Sequence, residues 1–222
     1  MASRFRGRTD LHVEGKDDQF AIANLLDQRA FQQKIEPRDV EIKDAEKHHF
    51  GYGRTELLKA IKTASESARD KAVAFVIDAD QDFDTTWQAV RNRLLQVQHL
   101  APLVPSAFPE DGLILDVAIV NARVGVWIMP DNSSPGILED FLQKLIKESD
   151  GLIQHAAAST DTATQLGALF PADARSKAII HAWLAWQAKP GCPLGIAIKS
   201  HYFDHANPMA VTFTNWVQRL ID

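Results

Sequence analysis

The stretch that most constrains the fold is a short apolar run that ends in acidic residues, AVAFVIDADQDFD at residues 72–84. Its β-branched and apolar residues from Val73 to Ile77 are typical of a buried strand in a parallel sheet. Asp78 and Asp80 follow where that strand ends. Ligands of open α/β sheets bind beyond the carboxyl ends of the strands, so these two carboxylates are predicted to lie where such a protein places its chemistry.

The D-x-D pattern of Asp78 and Asp80 admits two interpretations. Two carboxylates so spaced can converge on one hard cation, since Mg²⁺ and Ca²⁺ prefer carboxylate oxygens. Alternatively, the pattern is an acidic strand-to-helix loop in which an aspartate caps the next helix. A second acidic motif favours the metal site. Glu14 follows another short strand, Leu11 to Val13, and Asp18 falls near the first turn of the helix after it.

These acidic side chains are expected to lie together, because the carboxyl ends of parallel strands meet at one edge of a sheet. Carboxylates that share a small volume raise one another's pKa, and a divalent cation relieves that repulsion. Mg²⁺ or Mn²⁺ is therefore the expected cofactor. The predicted metal ligands are Glu14, Asp18, Asp78 and Asp80. Spacing alone leaves open the alternative that Glu14 belongs to a turn and that Asp18 caps a helix.

The order of the predicted elements indicates the fold class. Strands and amphipathic helices alternate through the first part of the chain, which favours a parallel sheet with helical crossovers. Two β-rich runs, Leu113–Val120 and Val124–Met129, predict an antiparallel hairpin or edge pair. We expect this pair to deliver the polar loop Pro130–Gly136 to the acidic cluster. The last third is predicted to be helical, with one short strand at Gly195–Ile198.

We therefore predict an α/β fold with a mostly parallel, Rossmann-like sheet flanked by helices, a β-hairpin or edge insertion, and a helical C-terminal extension. Residues 1–145 form the expected α/β core, and residues 146–222 a mainly helical part packed on the same domain. Residues 1–10 are rich in arginine and are expected to form a loose arm. His48 and His49 are interpreted as solvated loop residues.

Composition narrows the class of protein. The 222 residues fit one α/β domain, and the single cysteine, Cys192, excludes an internal disulfide framework and a thiolate metal site. No apolar run approaches the roughly 20 residues that span a bilayer, and the N-terminus lacks the hydrophobic region of a secretory signal.

A net charge of −5 argues against a broad basic surface for nucleic acid. It is compatible with a nuclease whose carboxylates are offset by bound cations. We expect a cytoplasmic protein.

Two segments carry a resemblance to a known family. VEGKDDQFAIANLL, which begins at Val13, and VIDAD, which ends at Asp80, resemble the Toprim domain of topoisomerases, bacterial primases and overcoming-lysogenization-defect (OLD) nucleases. Toprim proteins share a glutamate after the first strand and a D-x-D after a later strand, which bind magnesium. The chain is most similar to an uncharacterised bacterial Toprim-like family related to the OLD nucleases, also at GVWIMPDNSSPGILEDFL. The resemblance covers roughly residues 10–145.

The resemblance implies a role for each matching acidic residue. Glu14 would be a metal ligand or general base, and Asp78 and Asp80 would be the D-x-D ligands. Asp18 matches an acidic residue that the related nucleases carry four positions after their first glutamate. Those nucleases use further acidic residues for a second metal, and the candidates here are Asp131, Glu139 and Asp140.

The resemblance also implies a catalytic lysine and a substrate. A late lysine assists catalysis in the related nucleases, and Lys177 is the candidate, with Lys199 as the alternative. The implied function is Mg²⁺-dependent phosphodiester cleavage of nucleic acid, DNA or RNA, in bacterial phage defence. No Walker A pattern is present, so an ATPase partner would be a separate protein. A homodimer is a further expectation. The alternative is a non-hydrolytic, metal-dependent module that binds nucleic acid or nucleotides.

Overall fold

The computed structural model describes residues 4–27, 40–44 and 53–222, so His48 and His49 lie outside the described residues. The strands in these ranges are β1 (Thr9–Val13), β2 (Val40–Asp44), β3 (Ala72–Asp78), β4 (Leu113–Val117) and β5 (Ala122–Met129). The helices are α1 (Lys16–Asp27), α2 (Gly53–Ser67), α3 (Phe83–Leu94), α4 (Leu138–Lys144), α5 (Gly151–Gln165), α6 (Arg175–Ala185), α7 (Leu194–Lys199) and α8 (Pro208–Ile221). None of these helices is long and apolar enough to cross a membrane.

The strands form one sheet in the order β2-β1-β3-β5-β4. The first four strands in this order are parallel, and β4 pairs with β5 in the antiparallel direction at the edge. Helices lie on both faces, so the predicted α/β class with a mostly parallel sheet is confirmed. The predicted antiparallel pair is confirmed too, as an edge strand beside a parallel sheet.

Strand β3 occupies the middle of the sheet because both of its faces are apolar. Val73, Phe75 and Ile77 point into a cluster with α2 and α3. Ala74 and Val76 point to the opposite face and join a larger cluster made by α1 and the helices from α4 to α8. The C-terminal helices therefore share a hydrophobic core with the sheet. Burial on both faces is what a continuous β-branched run requires.

Helix α8 closes one face of the sheet. Trp216 is fully buried, and its Nε1 donates a hydrogen bond of 3.1 Å to the carbonyl of Leu113 on the edge strand. Glycine at position 125 of β5 makes room for this helix, because a Cβ there would lie 2.5 Å from Leu220 Cδ2. The N-terminal segment joins the same region, since Phe5 N–H donates to the carbonyl of Ile221 at 2.9 Å.

Two sequence-based expectations are wrong. The arginine-rich N-terminus is not a loose arm over its described part, because Phe5 is fully buried and β1 already begins at Thr9. The run Gly195–Ile198 is not a strand but part of α7. The larger buried residues of α7, Leu194, Ala197 and Ile198, recur at helical spacing, but in so brief a run this period cannot be distinguished from that of a strand.

Candidate functional site

The acidic residues of the two motifs lie at one edge of the sheet. Strands β1 and β3 are parallel neighbours, so Glu14, which follows β1, lies beside Asp78, which ends β3. Glu14 Oε1 accepts a hydrogen bond of 3.0 Å from the backbone N–H of Asp78. The first glutamate of the sequence motif is thus tied directly to the first aspartate of the D-x-D.

Asp18 takes part both in the helix start and in the acidic cluster. Its Oδ2 accepts a hydrogen bond of 3.0 Å from the backbone N–H of Gly15, which closes the turn into α1. Its negative charge also raises the pKa of Glu14 and of Asp78. The capping interpretation and the cluster interpretation of Asp18 are therefore compatible.

Asp80 adopts a left-handed backbone conformation, with φ of 54°, which is uncommon outside glycine but tolerated by aspartate. Its N–H donates to the carbonyl of Gly136 at 3.0 Å, and the Gly136 N–H donates to the Asp80 carbonyl at 2.8 Å. This bridge fastens the polar loop after β5 to the D-x-D. The expectation that the edge pair delivers the loop Pro130–Gly136 to the acidic cluster is confirmed at its Gly136 end.

A neighbouring aspartate caps the helix that follows β3. Asp82 is the N-cap of α3, and its Oδ1 accepts from the backbone N–H of Asp84 at 2.9 Å and of Thr85 at 3.2 Å. The capping role that the D-x-D left open thus belongs to Asp82. Asp78 and Asp80 contribute their carboxylates to the crevice instead.

Helices α4 and α6 add a buried acid and a lysine. Glu139 is only 3% exposed, and Lys177 Nζ lies 3.8 Å from its Oε1. Glu139 raises the pKa of both Asp18 and Asp78, so it belongs to the same cluster. Lys177 lowers the pKa of Asp18 and of Glu139, as a positive charge beside carboxylates must.

The two other candidate acids of the loop and α4 lie differently. Asp140 accepts a hydrogen bond of 2.9 Å from Ile137 N–H and another from the Ser176 hydroxyl, and it lines the cleft. Asp131 is held in a turn by the backbone N–H of Ser134 at 2.7 Å, and it pairs with Lys144 at 3.1 Å. These contacts direct Asp131 to its own loop and to α4.

Two clefts meet at the acidic cluster. One, of about 750 Å³, is bordered by the D-x-D, the Gly136 loop and the start of α6. The other, of about 440 Å³, is bordered by the start of α1 and of α2. Glu14, Asp78 and Lys177 line both clefts. Lys199, the alternative catalytic lysine, is exposed at the end of α7.

Burial and neighbouring carboxylates raise the pKa values of Glu14, Asp18, Asp78 and Glu139. Burial raises the pKa of Glu14 to about 7, opposed by the hydrogen bond from Asp78 N–H and reinforced by Asp18. Burial, with a contribution from Glu139, raises the pKa of Asp18 to about 6. The pKa of Asp78 is raised well above its ordinary value by burial and then by the surrounding carboxylates. The pKa of Glu139 is raised by burial.

The donor set suits a hard divalent cation. It consists of carboxylate oxygens, which Mg²⁺ and Mn²⁺ prefer, and burial and neighbouring carboxylates raise the pKa values of Glu14 and Asp18 despite the nearby Arg54 and Lys177. Within residues 4–27, 40–44 and 53–222, no three acidic, histidine or cysteine side chains already converge in coordinating geometry. Binding an ion would therefore require at least some of these carboxylates to turn towards a shared point.

Arg54 is a residue of the site that the sequence motifs do not reveal. It lies in the first turn of α2, and its Nη1 makes an ion pair of 2.7 Å with Asp80 Oδ2. A cation in the first turn of a helix opposes the helix dipole, so it needs another reason to be there. A positive charge in the first helical turn, directly after Gly53, is the sequence signal that could have identified Arg54 as a residue of the site.

Fold and site together define an α/β protein with a cleft of clustered carboxylates at the carboxyl edge of its parallel sheet. The chain belongs to the family described as "Protein of unknown function (DUF3226)", which matches residues 8–222. Neither a curated protein nor a solved structure matches it significantly.

Proposed function

We propose that this protein cleaves phosphodiester bonds of nucleic acid, DNA or RNA, with Mg²⁺ or Mn²⁺ held by the acidic cluster. The observation that carries the proposal is the meeting of carboxylates with raised pKa values at the junction of two clefts, both of which Lys177 also lines. The ligands proposed for the cation are Asp18, Asp78 and Asp80, and Glu14 is either a further ligand or the general base. The resemblance to Toprim and OLD nucleases points the same way, and a role in phage defence rests on that resemblance alone.

When bound, the cation would supply the charge that lowers the pKa of a water and stabilises the leaving oxygen. Glu14 has one carboxylate oxygen held by the Asp78 N–H, so its second oxygen can accept a proton from the attacking water. Lys177 carries a positive charge at the border of both clefts, where a phosphate oxygen could be bound. These roles make Glu14 the proposed base and Lys177 the proposed phosphate contact.

The test is incubation of the purified protein with supercoiled plasmid, single-stranded DNA and single-stranded RNA, each with Mg²⁺, with Mn²⁺ and with chelator. We expect cleavage of at least one substrate that depends on the cation and is lost in Asp78→Asn. Contamination by another nuclease would leave activity in that variant. Metal-dependent binding of nucleic acid without cleavage would instead support the non-hydrolytic module.

A further inference from the structure

Arg54 holds together the chain that carries the D-x-D. Its Nη1 contacts Asp80 Oδ2 at 2.7 Å and donates to the backbone carbonyl of Asp78 at 2.5 Å. Its Nη2 donates to the hydroxyl of Thr86 on α3 at 2.6 Å. One planar guanidinium thus binds the end of β3, the second aspartate and the next helix at once, which a lysine cannot do.

Thr86 extends this network. It is 1% exposed, and its hydroxyl donates a hydrogen bond of 3.0 Å to the carbonyl of Ala79, the residue between the two aspartates. The hydroxyl therefore accepts from Arg54 and donates into the D-x-D. Arg54 thus binds the backbone carbonyl of Asp78, and Thr86 binds the backbone carbonyl of Ala79.

The position of Arg54 is set by its neighbour Gly53. A Cβ at Gly53 would lie 2.6 Å from the backbone oxygen of Glu14, so only glycine lets α2 begin directly against the end of β1. From there the guanidinium reaches across to the end of β3. The first turn of α2 thus lies against Glu14 at the end of β1 and contacts Asp78 at the end of β3.

We propose that Arg54 is a positioning residue for the cation, which fixes the Asp80 carboxylate and the D-x-D backbone in the orientation that binds metal. This inference rests on the cation site of the proposed function. Arg54 engages one oxygen of Asp80 and leaves the other to the cation, the arrangement in which hydrogen bonds orient a ligating carboxylate. Asp80, with φ of 54°, has a left-handed backbone that aspartate tolerates, and its two hydrogen bonds with Gly136 hold that backbone while Arg54 holds its side chain.

The experiment measures Mn²⁺ affinity by isothermal titration and by the electron paramagnetic resonance signal of unbound Mn²⁺. Arg54→Lys keeps the charge but loses the planar fork, and we expect its affinity to fall by about tenfold or more. Thr86→Val keeps both charges and is expected to weaken binding in the same direction. The double variant should be no weaker than Arg54→Lys, because both changes break one network.

Lys59→Met is the matched control, since Lys59 is an exposed basic residue of the same helix that pairs with Glu56 at 2.7 Å. Its Mn²⁺ affinity should stay within about twofold of the wild type, because exposed ion pairs contribute little. Circular dichroism in chelator checks that each variant is folded. If Arg54→Lys unfolds, Thr86→Val alone carries the test.

The outcomes separate this inference from the proposed function. A folded Arg54→Lys or Thr86→Val that binds Mn²⁺ as tightly as the wild type, or more tightly, overturns the positioning role. A wild type that binds no Mn²⁺ overturns both proposals. A wild type that binds Mn²⁺ but cleaves no nucleic acid overturns the nuclease only, and the effect of Arg54→Lys on affinity still decides the positioning role.

Discussion

Glu14 Oε1 lies 3.0 Å from the backbone nitrogen of Asp78 and accepts its hydrogen bond. The bond joins residues at the ends of two neighbouring strands, so the orientation of one carboxylate depends on the backbone that carries the next. Shortening or rotating either strand end would disturb both residues together. The predictions below follow from this coupling and from the charges around it.

Asp78→Asn is expected to stabilise the protein in chelator, because burial and the neighbouring carboxylates disfavour the ionised form of Asp78, a cost that a neutral amide of the same size does not carry. The melting temperature should rise by about 2–4 °C per kcal/mol gained for a chain of this size. Mg²⁺ is expected to raise the free energy of unfolding of the wild type by about 2.7 kcal/mol at a hundredfold excess over its dissociation constant. This stabilisation by Mg²⁺ should be smaller in Asp78→Asn. Differential scanning calorimetry with chelator and with Mg²⁺ measures both effects.

The control for that variant is Asp84→Asn, which removes an exposed charge in the first turn of α3. It should not stabilise the protein in chelator, because a negative charge there favours the helix. Its response to Mg²⁺ should equal that of the wild type. An Asp78→Asn protein that is less stable than wild type in chelator would show that Asp78 has a structural role instead.

Without metal, the free energy of unfolding should fall as pH rises from about 4.5 to about 7. The pKa of Glu14 is raised from 4.5 to about 7, so between these values the folded state binds more protons than the unfolded chain. The same holds for Asp18, whose pKa is raised from 3.8 to about 6. Each of these groups should lower the free energy of unfolding by at most about 1.4 kcal/mol per pH unit within its window.

Urea denaturation in chelator across this pH range measures the effect. Saturating Mg²⁺ should flatten the profile, because the cation replaces the protons on the cluster. Asp10, Asp116 and Asp131 have lowered pKa values, and their contribution is lost only below this window. A metal-free protein whose stability increases steadily from pH 4.5 to pH 7 would contradict the raised pKa of Glu14.

Lys177→Met is expected to lower nucleic-acid cleavage by about 100-fold, a typical loss when one group that stabilises developing charge is removed. Lys177 lines both clefts and lies 3.8 Å from buried Glu139. Lys199→Met, at the exposed end of α7, should stay within about twofold of the wild type. Initial rates on the best substrate decide between the two lysines, and equal losses would remove the assignment to Lys177.

Gly53→Ala should destabilise the protein by about 1–3 kcal/mol, because the added Cβ would press on backbone rather than on a flexible side chain. Gly151→Ala is the matched change, since nothing lies within 4 Å of a Cβ at that helical position. It should be neutral or stabilising by at most about 1 kcal/mol. Guanidinium denaturation of both variants gives the comparison, and similar stabilities would mean that α2 can move away from Glu14 at little cost.

The acidic core of the site could be predicted from the sequence because each of its motifs is local. A buried strand has a recognisable run of residues, and parallel strands bring their carboxyl ends to one edge. Those two rules were enough to predict that Glu14, Asp78 and Asp80 lie together. Placing Asp18 beside them required a third rule, the direction in which a helix leaves its strand.

The rest depended on tertiary packing. The family resemblance named Glu139 and Lys177 as candidates, but no spacing in the sequence specifies how the distant helices α4 and α6 pack over the sheet to bring them together. The resemblance offered Asp131 and Asp140 equally as candidates, yet Asp131 is held by a turn of its own loop and by Lys144. Arg54 acts through a contact that is visible only once α2 is docked beside β1.

The burial of Trp216 against β4 has a consequence for the living cell. The ribosome makes the sheet first and α8 later, yet Phe213, Trp216 and Leu220 fill the same core as β1, β3 and β5. Until α8 emerges, the nascent chain exposes an apolar face of its sheet and the indole-binding carbonyl of Leu113. Folding should therefore be completed late, and in the interval the unfinished sheet is a surface for chaperones to cover.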